Sequence, residues 1–113
     1  MTDQRREHPR VSLPCSVRYR PTGERRAAWS LGVMTNLSAT GLRLTSEQPL
    51  EPGTALEIRI SLPSRQSPYQ FDGQVMWERE RVAGSMDYGV VFLDPTPDQR
   101  AELDELVRFL LNH

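Results

Sequence analysis

The sequence has few of the residues on which metal, disulfide or thiol chemistry depends. Its 113 residues include one cysteine, Cys15, and two histidines, His8 and His113. A single cysteine excludes an intramolecular disulfide and a metal cluster built from cysteines alone. Cys15 alternates with apolar residues, and we therefore predict a small buried side chain. A chain of this length forms one domain and can bury a core without cross-links.

Lysine is absent, and every basic side chain belongs to one of 14 arginines. Each cation is therefore a planar guanidinium that can stack on a ring or bind an anion through two parallel hydrogen bonds. Residues 1–26 carry seven arginines and three acidic residues, a net charge of +4, whereas the rest carries seven arginines and twelve acidic residues, a net charge of −5. Proteins that coat a long polyanion usually have a broader basic excess, so this pattern favours a small cationic site.

Long apolar runs and catalytic constellations are also missing. No run approaches the roughly 20 residues of a membrane span, and no signal-peptide pattern begins the chain, so we expect a cytoplasmic protein without membrane insertion. Neither His8 nor His113 has a partner at metal-ligand spacing, Cys15 has no activating base nearby in its predicted strand, and there is no glycine-rich phosphate loop. Glu78 and Glu80 are interpreted as solvated surface. We predict a protein that is not an enzyme and that uses no cofactor or metal.

The middle of the chain contains short segments with period-2 alternation, separated by turn residues. Six strands are marked by apolar residues: Val11, Leu13, Cys15, Val17 and Tyr19; Trp29, Leu31 and Val33; Leu42 and Leu44; Leu56, Ile58, Ile60 and Leu62; Phe71, Val75 and Trp77; Tyr88, Val90 and Phe92. Gly73 is a candidate bulge or bend in the fifth strand. Strands with one apolar face must close on themselves or pack face to face. We predict a mainly β fold, a six-stranded antiparallel split β-barrel.

The last segment changes to a helical period. Thr96 is a predicted N-cap, Pro97 occupies the first helical position, and Gln99 completes a capping box. One helical face carries Leu103, Leu106, Val107 and Leu110. This pattern predicts a C-terminal α-helix over about residues 97–112 that docks on the barrel, with a partner-binding helix as the alternative.

Two short motifs remain, and each is weak by itself. Arg6 and Arg10 form R-x-x-x-R before the first strand, and Asn36, Ser38 and Gly41 form N-x-S-x-x-G between the second and third strands. The second motif also describes an ordinary turn. In such a turn Asn36 and Ser38 bond the local backbone, and Gly41 supplies an unusual φ.

Taken together and in this order, on a six-strand pattern with a terminal helix, the two motifs resemble the PilZ domain family. Other similarities are "GLRL" directly after the second motif, "GQVMW" in the fifth strand and "YGVVF" in the sixth. The resemblance covers essentially the whole chain. It implies a flexible, arginine-rich ligand-binding arm over residues 1–10 and a barrel domain over residues 11–113.

The resemblance also implies a receptor for the bacterial second messenger cyclic di-GMP. The residues that it assigns to ligand binding are Arg6, Arg10, Asn36, Ser38 and Gly41, with Arg5 as a further candidate. Arginine suits this ligand because it pairs with phosphate, stacks on purines and forks onto guanine O6 and N7. The arm is expected to order over the ligand, and its changed position is what a downstream effector protein would read.

The residues around the motifs modify this expectation. Asn36 stands where the family often has Asp, and Thr40 where many members have a second glycine, so we expect lower affinity and a stiffer turn. His8 is interpreted as solvated. Arg43 should alternate outward, towards the pocket or the solvent, and Trp77 is interpreted as core or rim in preference to a stacking platform.

Three interpretations stay open. The first is a single-domain cyclic di-GMP adaptor, monomeric or homodimeric, whose lack of an output domain implies a partner protein. The second is a PilZ-like interaction domain that binds no nucleotide. The third is a small nucleic-acid-binding barrel in which Trp29 or Trp77 stacks on bases. The acidic balance after residue 26 and the 7% aromatic content disfavour the third, so no DNA or RNA partner is expected. Motility, exopolysaccharide synthesis and pilus function are all possible outputs.

Overall fold

The computed structural model describes residues 14–62, 65–81 and 84–111, and this part of the chain forms six strands and one helix. They are β1 (Cys15–Pro21), β2 (Ser30–Thr35), β3 (Gly41–Ser46), β4 (Ala55–Ile60), β5 (Tyr69–Glu80), β6 (Met86–Phe92) and α1 (Pro97–Leu111). Every pairing is antiparallel, and the order β1-β2-β3-β6-β5-β4 closes through β4 and β1. The predicted six-stranded barrel with a C-terminal helix is therefore confirmed. The predicted arm over residues 1–10 lies outside the described residues.

Alternate side chains of the strands fill the interior of the barrel, as the period-2 pattern predicts. The buried apolar strand residues are Val17, Tyr19, Met34, Leu42, Leu44, Leu56, Ile58, Ile60, Tyr69, Phe71, Val75, Tyr88, Val90 and Phe92. Cys15 is half-buried and packs against this core. Burial raises the pKa of the Cys15 thiol, which keeps the thiolate scarce at neutral pH.

Strand β2 has the opposite phase to the one predicted from its apolar residues. Leu31 and Val33 point outward, with 68% and 39% of their surfaces exposed, whereas Gly32 is buried. Gly32 faces inward because the interior has no room for a side chain at this position. A Cβ on Gly32 would lie 2.7 Å from Leu44 Cδ1 and 3.1 Å from Tyr19 Cε1. These two large side chains already fill the interior at this point. The prediction that Leu31 and Val33 mark the buried face is therefore wrong.

Strand β5 contains a bulge at a different place from the predicted one. Its register with β6 shifts between Val75 and Trp77, whereas Gly73 pairs regularly with both neighbouring strands. Beyond the bulge, residues 76–80 are all exposed. A bulge bends a strand and redirects its side chains. Trp77 therefore leaves the apolar face that the alternation assigns to it.

Helix α1 begins where the capping box predicts. The Thr96 amide donates a hydrogen bond to Gln99 Oε1 at 3.0 Å, and the Gln99 amide donates one to Thr96 Oγ1 at 3.1 Å. The buried residues of the helix are the predicted ones, Leu103, Leu106, Val107 and Leu110. At the edge of this contact the Tyr69 hydroxyl donates a hydrogen bond to Glu105 at 2.9 Å, and burial raises the pKa of that phenol. The helix docks on the barrel through both contacts.

We expect the Thr96→Ala variant to lower the free energy of unfolding by about 1 kcal/mol, because the Gln99 amide loses its acceptor at the helix N-terminus. Chemical denaturation followed by circular dichroism measures this loss. Thr22→Ala, which alters an exposed turn residue, is the control and should leave the stability unchanged. Equal stability of the two variants would contradict the capping role of Thr96.

Two further observations concern residues of the described part of the chain. No helix in residues 14–62, 65–81 and 84–111 combines the length and the apolar character needed to span a membrane. Within the same ranges, no three His, Cys, Asp or Glu side chains are grouped so that they could hold a metal ion.

Candidate functional site

The N-x-S-x-x-G motif forms a tight loop between β2 and β3. Asn36 has a φ of 54°, in the left-handed region, which asparagine tolerates better than most residues with a side chain. Leu37 is buried and anchors the loop to the core. The Ser38 amide donates a hydrogen bond to the Gly41 carbonyl at 2.9 Å, and Ser38 Oγ accepts one from the Thr40 amide at 3.3 Å. Contacts within the chain therefore set the shape of the loop.

Gly41 is required for close approach and not for an unusual φ. Its φ lies outside the left-handed region, so the expectation of an unusual φ at Gly41 in an ordinary turn is wrong. A Cβ on Gly41 would instead overlap the carbonyl oxygen of Val90 on β6. The adjacent Thr40 carbonyl accepts a hydrogen bond from the Phe92 amide at 2.9 Å, which ties the loop to the end of β6. The absence of a side chain lets β3 begin this close to β6.

A cavity of about 210 Å³ opens beside this loop. It is lined by Asn36, Ser38, Thr40, Gly41, Leu42, Arg43, Met76, Trp77, Gly89, Val90 and Val91. The structure therefore brings the three residues of the second motif to one cavity, between the loop and strands β3, β5 and β6. The other predicted site residues, Arg5, Arg6 and Arg10, lie outside the described residues.

Arg43 lines this cavity, and its side chain carries an unsatisfied hydrogen-bond donor. Its Nε is the one buried side-chain nitrogen or oxygen in the described part of the chain that has no hydrogen-bond partner. Leaving a buried donor unpaired costs about 1–3 kcal/mol, and a ligand atom that accepts this hydrogen bond would recover the cost. Of the two orientations expected for Arg43, the structure shows the one towards the pocket.

Trp77 places an aromatic ring at the rim of the cavity. Its side chain is 42% exposed, and the guanidinium carbon of Arg43 lies 5.9 Å from the ring centroid. In the register of β5 and β6, Trp77 faces Gly89, where a Cβ would overlap the indole ring. The bulge turns the ring outward, and Gly89 leaves room for it. The rim position agrees with the sequence-based interpretation, but the exposed ring is also suited to stacking.

A second cavity, of about 550 Å³, adjoins the first and shares Asn36 and Arg43 with it. Arg79 and Arg81 also line this space. Each of them approaches Asp87 with a nitrogen–oxygen distance of 3.7 Å. Asp87 is only 4% exposed and neutralises part of this charge. The second cavity is therefore lined by three arginines, Arg43, Arg79 and Arg81, and by two acidic residues, Glu80 and Asp87.

Arg43, Trp77 and Gly89 were not among the site residues predicted from the sequence. For Arg43 a signal existed, since it lies two residues after Gly41 and therefore on the same face of β3. Trp77 and Gly89 carry no comparable local signal. Their proximity depends on the register of β5 and β6 after the bulge, which no pattern within a single strand reveals.

Comparison with known families gives a match that spans nearly the whole chain. The family model of the PilZ domain matches residues 4–109, a range that includes both motifs. No curated protein has a significant sequence match to this chain.

Several solved structures are similar to this one. The PilZ domain with c-di-GMP of YcgR from Escherichia coli has a TM-score of 0.73 at 19% identity, over 96% of this chain and 93% of that chain. The Bacillus subtilis inhibitor of motility (MotI/DgrA) has a TM-score of 0.69 at 21% identity, over 96% of this chain and 53% of that chain. The PilZ domain of CeSA from a cellulose-synthesizing bacterium has a TM-score of 0.66 at 19% identity, over 93% of this chain and 99% of that chain. At these identities the similarity shows a shared fold.

Proposed function

Because this chain belongs to the PilZ domain family, we propose that it is a receptor for cyclic di-GMP. PilZ domains are ligand-binding regulatory domains and not enzymes. The observation that carries the proposal is the composition of one cavity wall, which combines Asn36, Ser38 and Gly41 with Arg43, whose Nε has no partner, and with the exposed Trp77. The similar YcgR domain, whose structure contains c-di-GMP, supports the choice of ligand.

The chemistry of the cavity matches one end of such a ligand. Cyclic di-GMP offers guanine faces, guanine O6 and N7 acceptors, and two negatively charged phosphates. Trp77 supplies a surface on which a guanine stacks, and Arg43 supplies donors for a phosphate or for O6 and N7. Pockets that enclose drug-sized ligands measure about 300–1,000 Å³, so a cavity of about 210 Å³ holds part of the dinucleotide.

We propose that the arginine-rich residues 1–10 cover the rest of the ligand. In this arrangement Arg6 and Arg10 bind guanine and phosphate, and Arg5 contacts a phosphate. The family match begins at residue 4 and so includes all three arginines, and the net charge of +4 over residues 1–26 favours an anion. Ordering of this arm on binding would change the surface that a partner protein meets.

The arm is tested separately by hydrogen exchange of the amides in residues 1–13, with and without cyclic di-GMP. Slower exchange in the presence of the ligand is expected, because ordered and covered amides exchange slowly. Unchanged exchange in a sample that calorimetry shows to be saturated would contradict closure of the arm. It would leave the receptor function in place.

Calorimetric titration with cyclic di-GMP tests the receptor function itself. We expect saturable binding at micromolar or lower concentrations, and much weaker binding of GTP, which presents one guanine instead of two. Absence of binding heat from folded protein would contradict the receptor function and favour an interaction domain that binds no nucleotide. Binding of single-stranded DNA that falls steeply with salt would favour the nucleic-acid-binding alternative.

Arg43→Ala is expected to weaken binding of cyclic di-GMP by about tenfold to a hundredfold, because a charge-assisted hydrogen bond contributes about 1.5–3 kcal/mol. Arg43→Lys retains the charge but not the Nε donor, and it should recover part of the affinity. Arg100→Ala removes an exposed arginine on α1 and should bind as the unmodified protein does. Equal affinity of Arg43→Ala and Arg100→Ala, measured by calorimetry, would contradict a role for Arg43.

We further propose that the receptor acts as an adaptor in the cytoplasm, where it relays the ligand signal to a downstream effector protein. The similar Bacillus subtilis protein is an inhibitor of motility, which supports regulation of another protein as the output. This chain spans about half the length of that protein.

A further inference from the structure

The barrel wall formed by β1, β2 and β4 carries cationic and apolar side chains on the side away from the cavity. We call this surface the Trp29 face and define it by Arg18, Arg20, Trp29, Leu31 and Arg59. In the order β1-β2-β3-β6-β5-β4, β1 lies opposite β6 and β4 lies opposite β3. The ligand cavity lies beside β3 and β6. A molecule bound to the Trp29 face would therefore leave the cavity open.

Two arginines of this face are held in place by the indole ring. The guanidinium carbons of Arg20 and Arg59 each lie 4.3 Å from the centroid of the Trp29 ring. Arg20 Nε donates a hydrogen bond to Glu57 Oε1 at 3.0 Å, and Arg59 Nε donates one to Gln70 Oε1 at 3.1 Å. A guanidinium that is already stacked and hydrogen-bonded loses little conformational freedom when its remaining N–H groups bind a carboxylate.

The neighbouring row of residues combines positive charge with an exposed leucine. In the strand register Arg18 lies between Arg59 on β4 and Leu31 on β2. Two like charges directly opposite each other on neighbouring strands destabilise a sheet, and an anion between Arg18 and Arg59 would relieve this repulsion. Leu31 is 68% exposed and gains by contact with an apolar group. A complementary surface would therefore carry carboxylates beside an apolar side chain.

We propose that the Trp29 face binds an acidic segment of a partner protein in which carboxylates flank an apolar side chain. Nucleic acid and an anionic bilayer fit less well, because they present negative charge uniformly. Glu57 lies in register with Arg20 on one side and with the exposed Asp72 on the other, so this wall is not uniformly positive. A protein segment can place its carboxylates on the arginines and avoid these acids.

Two acidic residues of helix α1 in a second copy of this chain are poor candidates for the same role. On α1, Glu102 is paired with Arg65 at 2.7 Å and Asp104 with Arg108 at 2.8 Å. Breaking these pairs would cost part of what a new contact contributes. The occupant that we propose is a segment of a different protein, and this inference deepens the proposed adaptor function by assigning its docking surface and the chemistry of the docked segment.

The test uses the full chain without nucleotide and two fluorescently labelled synthetic peptides. One peptide alternates glutamate with leucine, and the other alternates glutamate with serine. Fluorescence anisotropy should show saturable binding of the leucine peptide, about tenfold tighter than binding of the serine peptide, because Leu31 gains an apolar contact. Equal affinities for the two peptides, or no binding of either, would overturn the proposal.

Two charge-reversal variants locate the binding surface. Arg18→Glu should weaken binding of the leucine peptide by about tenfold or more, because it replaces an attraction with a repulsion. Arg100→Glu makes the same change of charge at an exposed position of α1 and should alter the affinity by less than about twofold. Equal losses in both variants would indicate attraction to the net charge alone and would overturn the proposal.

Further measurements on the same variants distinguish the other occupants and the proposed function. The protein could bind phosphatidylglycerol vesicles and not the peptides, and Arg18→Glu could abolish that vesicle binding. This result would assign the Trp29 face to a membrane and overturn the proposal. Concentration-dependent dimerisation that Arg18→Glu abolishes in sedimentation experiments would assign the Trp29 face to a second copy of this chain and overturn the proposal. Cyclic di-GMP binding is measured separately on each variant, and its absence would contradict the receptor function without changing the peptide result.

Discussion

Replacing Arg6 and Arg10 together with alanine is expected to lower the affinity for cyclic di-GMP by about two to four orders of magnitude. Each arginine makes a charge-assisted contact worth about 1.5–3 kcal/mol in the proposed complex, so either single variant loses about one to two orders of magnitude. Isothermal titration calorimetry on the single and double variants measures these losses. Circular dichroism shows whether the barrel and helix α1 remain folded.

The matched control for this double variant is Arg25→Ala combined with Arg26→Ala. It removes the same charge from two exposed arginines between β1 and β2, outside the cavity. We expect its affinity to stay close to that of the unmodified protein. Equal losses in the two double variants would mean that cyclic di-GMP responds only to the overall positive charge of residues 1–26. Unchanged affinity of the Arg6 and Arg10 variant would contradict its assignment to the ligand site.

Gly41→Ala is expected to lower the free energy of unfolding by about 3 kcal/mol and to weaken binding of cyclic di-GMP. The new Cβ would overlap the Val90 carbonyl oxygen, and backbone atoms paired in two strands cannot move aside easily. The Gly41 carbonyl also accepts the hydrogen bond from Ser38, so displacement of β3 would distort the loop that carries the motif. Denaturation and calorimetry measure the two effects.

Gly73→Ala provides the matched control, because its Cβ would also approach Val90 of β6 but would meet a side-chain atom instead of a backbone atom. The nearest atom is a side-chain methyl group, Val90 Cγ1, at 2.7 Å. A methyl group can shift at lower cost than a carbonyl, so we expect a loss of about 1 kcal/mol and little change in affinity. Equal destabilisation of the two variants would contradict the close-approach explanation for Gly41.

The parts of the fold that the sequence predicted correctly are those in which a local signal decides the structure. The capping box of Thr96 and Gln99 and the apolar face of α1 lie within the helix itself, so neighbouring residues define it. In β3 and β4 the large apolar residues occupy every second position with no competing choice. The six strands with one apolar face predicted the barrel, and the order of the two motifs along the chain added the family.

The errors occurred where two local solutions were available and packing chose between them. In β2, either Leu31 and Val33 or Gly32 and Met34 can face inward, and apolar alternation favours the first pair. Tyr19 from the neighbouring strand already occupies the interior next to Gly32, so the second pair faces the core. The position of the bulge in β5 was likewise decided by pairing with β6.

For the candidate site, the sequence by itself determined Asn36, Ser38 and Gly41, because the motif is a continuous loop whose shape depends on its own hydrogen bonds and on one glycine. Only the tertiary structure decided that Arg43 and Trp77 share their cavity and that Arg20 and Arg59 meet around Trp29. The physical reason is that strand register and a bulge bring together residues far apart in the chain. Local patterns specify which face a side chain occupies, whereas the closed barrel specifies which side chains become its neighbours.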